Sequence, residues 1–184
     1  MLLEKIKALA AEGQAENISI RRHLHANPEL SYQEFETCKY VQAQLTKIGI
    51  PFTVIATTGV LGIIEGKNPT KRVIALRADM DALPILEENE VEYKSKNPGV
   101  MHACGHDVHT TILLGAAKIL WSVREEFEGT IKLLFQPGEE KNPGGASYMI
   151  RDGALQNPTP QGIIGLHVHP GLSFGKLSFR KGRV

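Results

Sequence analysis

Nine consecutive residues, Met101 to His109 (MHACGHDVH), hold three histidines, an aspartate and a cysteine. The whole chain has only seven histidines and two cysteines. Cys104-Gly-His106 sets a thiol and an imidazole two residues apart. The glycine between them lets the backbone bend so that both groups point at one ion. Cysteine sulfur with histidine nitrogen suits zinc and other borderline first-row metals. On its own the pattern is weak, because a buried cysteine on a loop with solvent-facing histidines reads the same way.

Three further segments carry matching chemistry. Gln136-Pro-Gly-Glu139-Glu140 leads from a strand-like run into paired carboxylates and then a glycine-rich turn. One carboxylate of such a pair can ligate a metal while the other stays free as a general base for metal-bound water. Arg77-Ala-Asp79-Met-Asp81 closes the apolar run VIAL, and carboxylates there can orient ligating histidines. Gly165-Leu-His167-Val-His169-Pro reads as strand, which would put His167 and His169 on one face. Each segment also has a plain structural reading as an acidic turn, a surface aspartate pair or half-buried histidines. Their joint occurrence is what argues for a site. The sequence holds no G-x-G-x-x-G, P-loop or H-E-x-x-H pattern that would compete.

The elements that must position these groups follow from periodicity. Residues 2–24 have helical spacing, and Pro28 breaks that helix. Ser31 and Glu34 form an S-x-x-E capping box for a second helix that runs to about Lys47, with Gly49 as its stop. Strands are expected at 51–56 and 60–66, and a buried strand in RVIALRADMD. Residues 85–100 read as loop. A helix capped by Asp107 follows, then the strand GTIKLLFQP, a short helix from Gly144-Gly145, the strand GIIGLHVHP, and a strand or hairpin in LSFGKLSFRKGRV. This order predicts an α/β fold with a mostly buried sheet. Ligands of open α/β sheets bind beyond the carboxyl ends of the strands.

Composition excludes other classes. The 184 residues are 42% hydrophobic and 22% charged, enough to bury the core of one ordinary domain. The net charge of +1 gives no basic excess for nucleic acid. The apolar runs are far too short to cross a bilayer. The amphipathic N-terminus with its early acids is no secretory signal. Two cysteines, Cys38 and Cys104, make no disulfide framework, which points to a reducing cytoplasm.

Taken in order, RRHLHANPELSYQE, LRADMDALPI, MHACGHD, FQPGEE and GLHVHP resemble the metal-dependent amidohydrolases. That family includes hippurate hydrolase, bacterial N-acyl-L-amino-acid amidohydrolases, plant auxin-conjugate hydrolases and N-acetyldiaminopimelate deacetylase. The resemblance implies a three-layer α/β/α, zinc-peptidase-like catalytic domain that binds two divalent ions, zinc or manganese. By motif, Cys104, His106, Glu140 and His167 would ligate metal, Glu139 would be the general base, and Asp79 would support the site. Arg77 stands where the wider family keeps a metal-binding histidine. His23 and His25 match an N-terminal motif for which folding is the expected role. The implied reaction is hydrolysis of the amide of a small N-acyl amino acid, with no nucleic acid or membrane partner. A cysteine-nucleophile reading leaves the paired glutamates and His167 without a task. Family chains continue into a lid domain that carries dimer contacts, then return to supply a last histidine ligand. Residues 1–184 are therefore expected to be the N-terminal segment of the catalytic domain, ending near the start of the lid. The alternatives are a truncated, inactive fragment that binds metal or a partner subunit, and a related peptidase.

Overall fold

A computed structural model describes residues 1–179 and Gly182. Its elements are α1 (Leu2–Glu12), α2 (Gln14–Ala26), α3 (Phe35–Ile48), β1 (Phe52–Ile55), β2 (Gly59–Glu65), β3 (Val73–Asp79), α4 (His106–Ser122), β4 (Thr130–Gln136), α5 (Gly145–Arg151) and β5 (Gly162–Gly165). The five strands form one mixed sheet in the order β1-β2-β4-β3-β5. The β1–β2 and β2–β4 pairs are antiparallel, whereas β3 pairs parallel with both β4 and β5. The carboxyl ends of β4, β3 and β5 therefore emerge side by side at one edge.

Alternation along the central strand builds a core on each face. Leu133 and Phe135 of β4 pack with Ile20, Leu24, Val41, Leu45, Leu113 and Leu114 from α2, α3 and α4. Leu134 points the other way and packs with Ala75, Met149 and Ala154 around α5. This is the expected three-layer arrangement. Lys132 interrupts the second face. Its buried ammonium is satisfied by the carbonyls of Gln156 (2.7 Å) and Pro158 (3.1 Å), which tie down the chain leading into β5.

Several local expectations change. The first helical stretch is two helices, divided at Gly13 and reaching Ala26. The Ser31–Glu34 capping box does not form. Glu34 occupies the N-cap position of α3, but its buried carboxylate turns away from the helix. Glu29 caps instead, accepting the backbone N–H groups of Glu36 (3.2 Å) and Thr37 (2.7 Å) and the Thr37 hydroxyl (2.8 Å). Asp107 is not the N-cap of α4. It lies inside the first turn, and Gly105 holds the cap position. The strand expected through His169 stops at Gly165. Residues 172–179 form no strand, and the end of that expected hairpin lies outside the described residues. Among the described residues, no helix is long and apolar enough to cross a membrane.

Because Glu29 satisfies two otherwise orphaned helix donors, Glu29→Ala is expected to lower unfolding free energy by about 0.5–2 kcal/mol in urea titration. No loss would show that α3 is capped by other means.

Candidate metal centre

Three strand ends and one helix start supply the site. Asp79 is the last residue of β3, Glu139 and Glu140 follow β4, His167 follows β5, and His106 opens α4. Gly105 precedes it with φ of 88°, a left-handed conformation that suits glycine. A side chain there would also collide with Val168. This close approach lets the loop after β5 pass over the start of α4.

His106 is the common member. Its Nε2 is buried and has no hydrogen-bond partner among the described residues. It lies 3.7 Å from Asp79 Oδ1, 3.7 Å from Glu140 Oε1 and 4.0 Å from Glu139 Oε2. Its Nδ1 faces Asp81 Oδ1 at 3.3 Å. Cys104 Sγ is 3.4 Å from His167 Nε2. Three overlapping groups have donor atoms all within 4.8 Å of one another: Cys104, His106 and His167; His106, Glu139 and Glu140; and Asp79, His106 and His109. The structure thus brings together all six residues expected at the site.

The electrostatics of this cluster call for a cation. Burial works against a charged His106 ring, but Asp81, Asp79 and Glu140 outweigh it and raise its pKa. Burial pushes the Cys104 thiol up to about 12, with Glu140, Glu139 and Asp79 adding to the effect. Asp79 is buried, which raises its carboxyl. His109, His106 and Arg77 more than offset that and hold it below its ordinary value. A bound cation would relieve the carboxylate repulsion, favour the thiolate and use the free lone pair on Nε2. Sulfur, imidazole and carboxylate donors together fit zinc or a similar divalent ion.

A family model described as peptidase family M20/M25/M40 matches residues 75–182. The chain belongs to this family. It is 47% identical over 178 residues to the N-acyl-L-amino acid amidohydrolase of Geobacillus stearothermophilus, covering 96% of this chain and 47% of that protein. It is 52% identical over 167 residues to the IAA-amino acid hydrolase ILR1-like 5 of Arabidopsis thaliana, covering 90% and 37%. The solved structure of the Bacillus subtilis YXEP protein, a dinuclear metal-binding peptidase from the M20 family, superposes with a TM-score of 0.81 at 40% identity. That match covers 90% of this chain and 45% of the solved one. The chain spans about half the length of the curated relatives it matches.

The geometry of this M20 chain also corrects its sequence reading. His167 and His169 do not share a strand face. Beyond Gly165 the backbone leaves β3, and the Val168 N–H donates to His109 Nε2 at 2.9 Å. That contact leaves the His109 proton on Nδ1, where it is donated to Asp79 Oδ1 at 2.6 Å. His109 was not singled out from sequence, although its spacing from His106 sets both on one face of α4. Asp81, read together with Asp79 as a carboxylate that can orient a ligating histidine, faces His106 Nδ1.

His25 takes the expected structural role in a second buried network. Its Nδ1 faces Asp107 (2.7 Å) and its Nε2 faces Glu87 (2.9 Å), which requires a charged ring. Arg21 Nε adds a 3.0 Å contact to Asp107. Burial alone would raise the Glu87 carboxyl, but His25, the Ser95 N–H and Asn89 hold it at about 2.

Two expectations follow from that network. Asp107→Asn leaves buried charge uncompensated and should cost about 3–5 kcal/mol in denaturant unfolding. Glu87 has a depressed pKa, so its contribution is complete above about 4.5 and is lost as pH falls toward about 2. His25 has a raised pKa, so its contribution is complete below 6.5 and fades only as pH climbs past the raised value. Urea midpoints should therefore fall on acidification more steeply in the wild type than in Glu87→Gln. Parallel curves would contradict the pairing.

Proposed function

We propose that this chain carries most of the metal site of an amidohydrolase that cleaves N-acyl amino acids into a carboxylic acid and a free amino acid. The observation that carries the reading is the buried His106 Nε2, without a hydrogen-bond partner among the described residues, facing Asp79, Glu139 and Glu140 beside Cys104 and His167. Cys104, His106, Glu140 and His167 are the residues that would hold divalent ions, zinc or manganese. When bound, such ions lower the pKa of a coordinated water and polarise an amide carbonyl.

The remaining roles belong to this chain's own groups. Glu139 is the more exposed carboxylate of its pair and reaches toward open space. It would take a proton from the attacking water and hand it to the leaving nitrogen. Asp81 faces His106 Nδ1 and so directs the opposite nitrogen, Nε2, into the cluster. Asp79, braced by Arg77 at 2.6 Å and by His109, supplies fixed negative charge at the floor. Cys104 would act as a ligand thiolate and not as a nucleophile, since its thiol is held protonated until a cation arrives.

These 184 residues are read as the N-terminal part of the catalytic domain of a cytoplasmic enzyme. Their share of the relatives' length supports this. So does the sheet edge at β5, where Ile163, Ile164 and Leu166 are exposed and a further segment would cover them. The alternative, a metal-binding module without turnover, draws on the same partial span.

In the full-length protein, Glu139→Gln is expected to retain metal and lose about 10²–10⁴-fold in kcat on an N-acyl amino acid. Cys104→Ser and Glu140→Gln are expected to lose metal, measured by native mass spectrometry. A Glu139→Gln variant with wild-type kcat would remove the general-base assignment. Stoichiometric metal in Cys104→Ser would remove the thiolate ligand.

A further inference from the structure

The segment Ser31-Tyr-Gln-Glu34 has no part in the chemistry described above, yet two of its side chains reach one target directly and a third reaches it through Asp81. That target is the turn between β4 and α5, which carries Glu139 and Glu140. The Glu34 carboxylate is fully buried and accepts the Gly138 N–H at 2.7 Å, the Tyr32 N–H at 2.9 Å and the Thr58 hydroxyl at 2.7 Å. The Tyr32 hydroxyl donates to the Lys141 carbonyl at 2.7 Å and accepts the Gly144 N–H at 3.1 Å. The Tyr32 ring also lies against Gly138, where any Cβ would collide with it. Ser31 Oγ donates to Asp81 Oδ2 at 2.6 Å, and that same oxygen accepts the Glu140 N–H at 3.0 Å.

Residues 138, 140, 141 and 144 are thus each gripped at the backbone by a side chain from outside the turn. The turn's own links are few, Gly145 N–H to Gly138 O at 2.8 Å and Gly144 N–H to Lys141 O at 3.0 Å. The Glu139 and Glu140 side chains are partly exposed and make few contacts of their own, so their placement is inherited from this backbone. A buried carboxylate is costly unless satisfied, and Glu34 meets that cost with two backbone donors and a hydroxyl.

We propose that Ser31, Tyr32 and Glu34, with Asp81 as the link to Glu140 and His106, are positioning residues for the two glutamates of the reaction. The proposal rests on the metal-amidohydrolase reading of the site. The cradle sets the distance from Glu139 and Glu140 to the metal-facing nitrogen of His106. It acts through the turn's backbone and touches neither substrate nor metal.

The test uses the full-length protein loaded with zinc, assayed on an N-acetyl amino acid, with Ser31→Ala, Tyr32→Phe and the conservative Ser31→Thr. Each removes or replaces a hydroxyl with little change in shape. Zinc affinity is read by competition with a chelating dye, and Leu45→Val in the core of α3 serves as a purely destabilising comparison. Tyr32→Phe is expected to lower kcat about 10- to 100-fold while KM moves less than about threefold, and Ser31→Ala to weaken zinc binding about tenfold. Ser31→Thr should restore zinc affinity, and Leu45→Val should lower the melting temperature without moving kcat. Folded Tyr32→Phe and Ser31→Ala variants with wild-type kcat and zinc affinity would overturn the proposal. If the wild type binds zinc but turns over no N-acyl amino acid, the amidohydrolase reading fails. The cradle is then decided by zinc affinity alone, and an unchanged value in Ser31→Ala overturns it.

Discussion

A buried imidazole nitrogen with no hydrogen-bond partner among the described residues, faced by carboxylates from two strand ends, is the constraint around which this structure is arranged. His106 Nε2 cannot be left in that position without a charge to meet. Burying a polar atom unpaired is unfavourable, and gathering Asp79, Glu139 and Glu140 around it, with Asp81 at the other ring nitrogen, adds repulsion. In the absence of an ion the cluster responds by favouring protons on His106 and Cys104. A divalent cation replaces those protons with one bound charge. The fold tolerates the unbalanced cluster because its surroundings are strongly over-determined.

That over-determination has three sources. The parallel β4-β3-β5 triplet brings its carboxyl ends to one edge, so that strand pairing delivers Asp79, the start of the glutamate turn and the segment leading to His167 to one place. The start of α4 is held by Asp107, which is locked to His25 and Arg21 of α2. The turn after β4 is gripped from the loop ahead of α3 and by Asp81. The site lies where these three supports meet, and each support ties together segments far apart in sequence.

Much of this was legible in the sequence. Residue type and clustering pointed to the segments that hold Cys104, His106, the Glu139–Glu140 pair, Asp79 and His167, the family resemblance supplied their individual roles, and apolar patterning was enough for the central strands. What periodicity does not carry is the direction a polar side chain takes once it has several partners to choose from. Ser31 and Glu34 have the spacing of a capping box, but Asp81 and the Gly138 N–H are better partners in three dimensions. Asp107 has the chemistry of a cap, but a charged His25 ring claims it. GLHVHP alternates like a strand, but the Val168 N–H finds His109 instead of β3. In each case a long-range hydrogen bond overrides a local pattern, and only the folded neighbourhood shows it.

The central claim is that Cys104 and His106 bind one divalent ion together. X-ray absorption at the zinc edge of the zinc-loaded protein tests it most directly, beside a Cys104→Ser variant that keeps the distant, buried Cys38. The account predicts a sulfur scatterer bound to zinc together with nitrogen and oxygen, and its disappearance in the variant. A zinc environment of nitrogen and oxygen alone in the wild type, or a sulfur that survives the substitution, would contradict it.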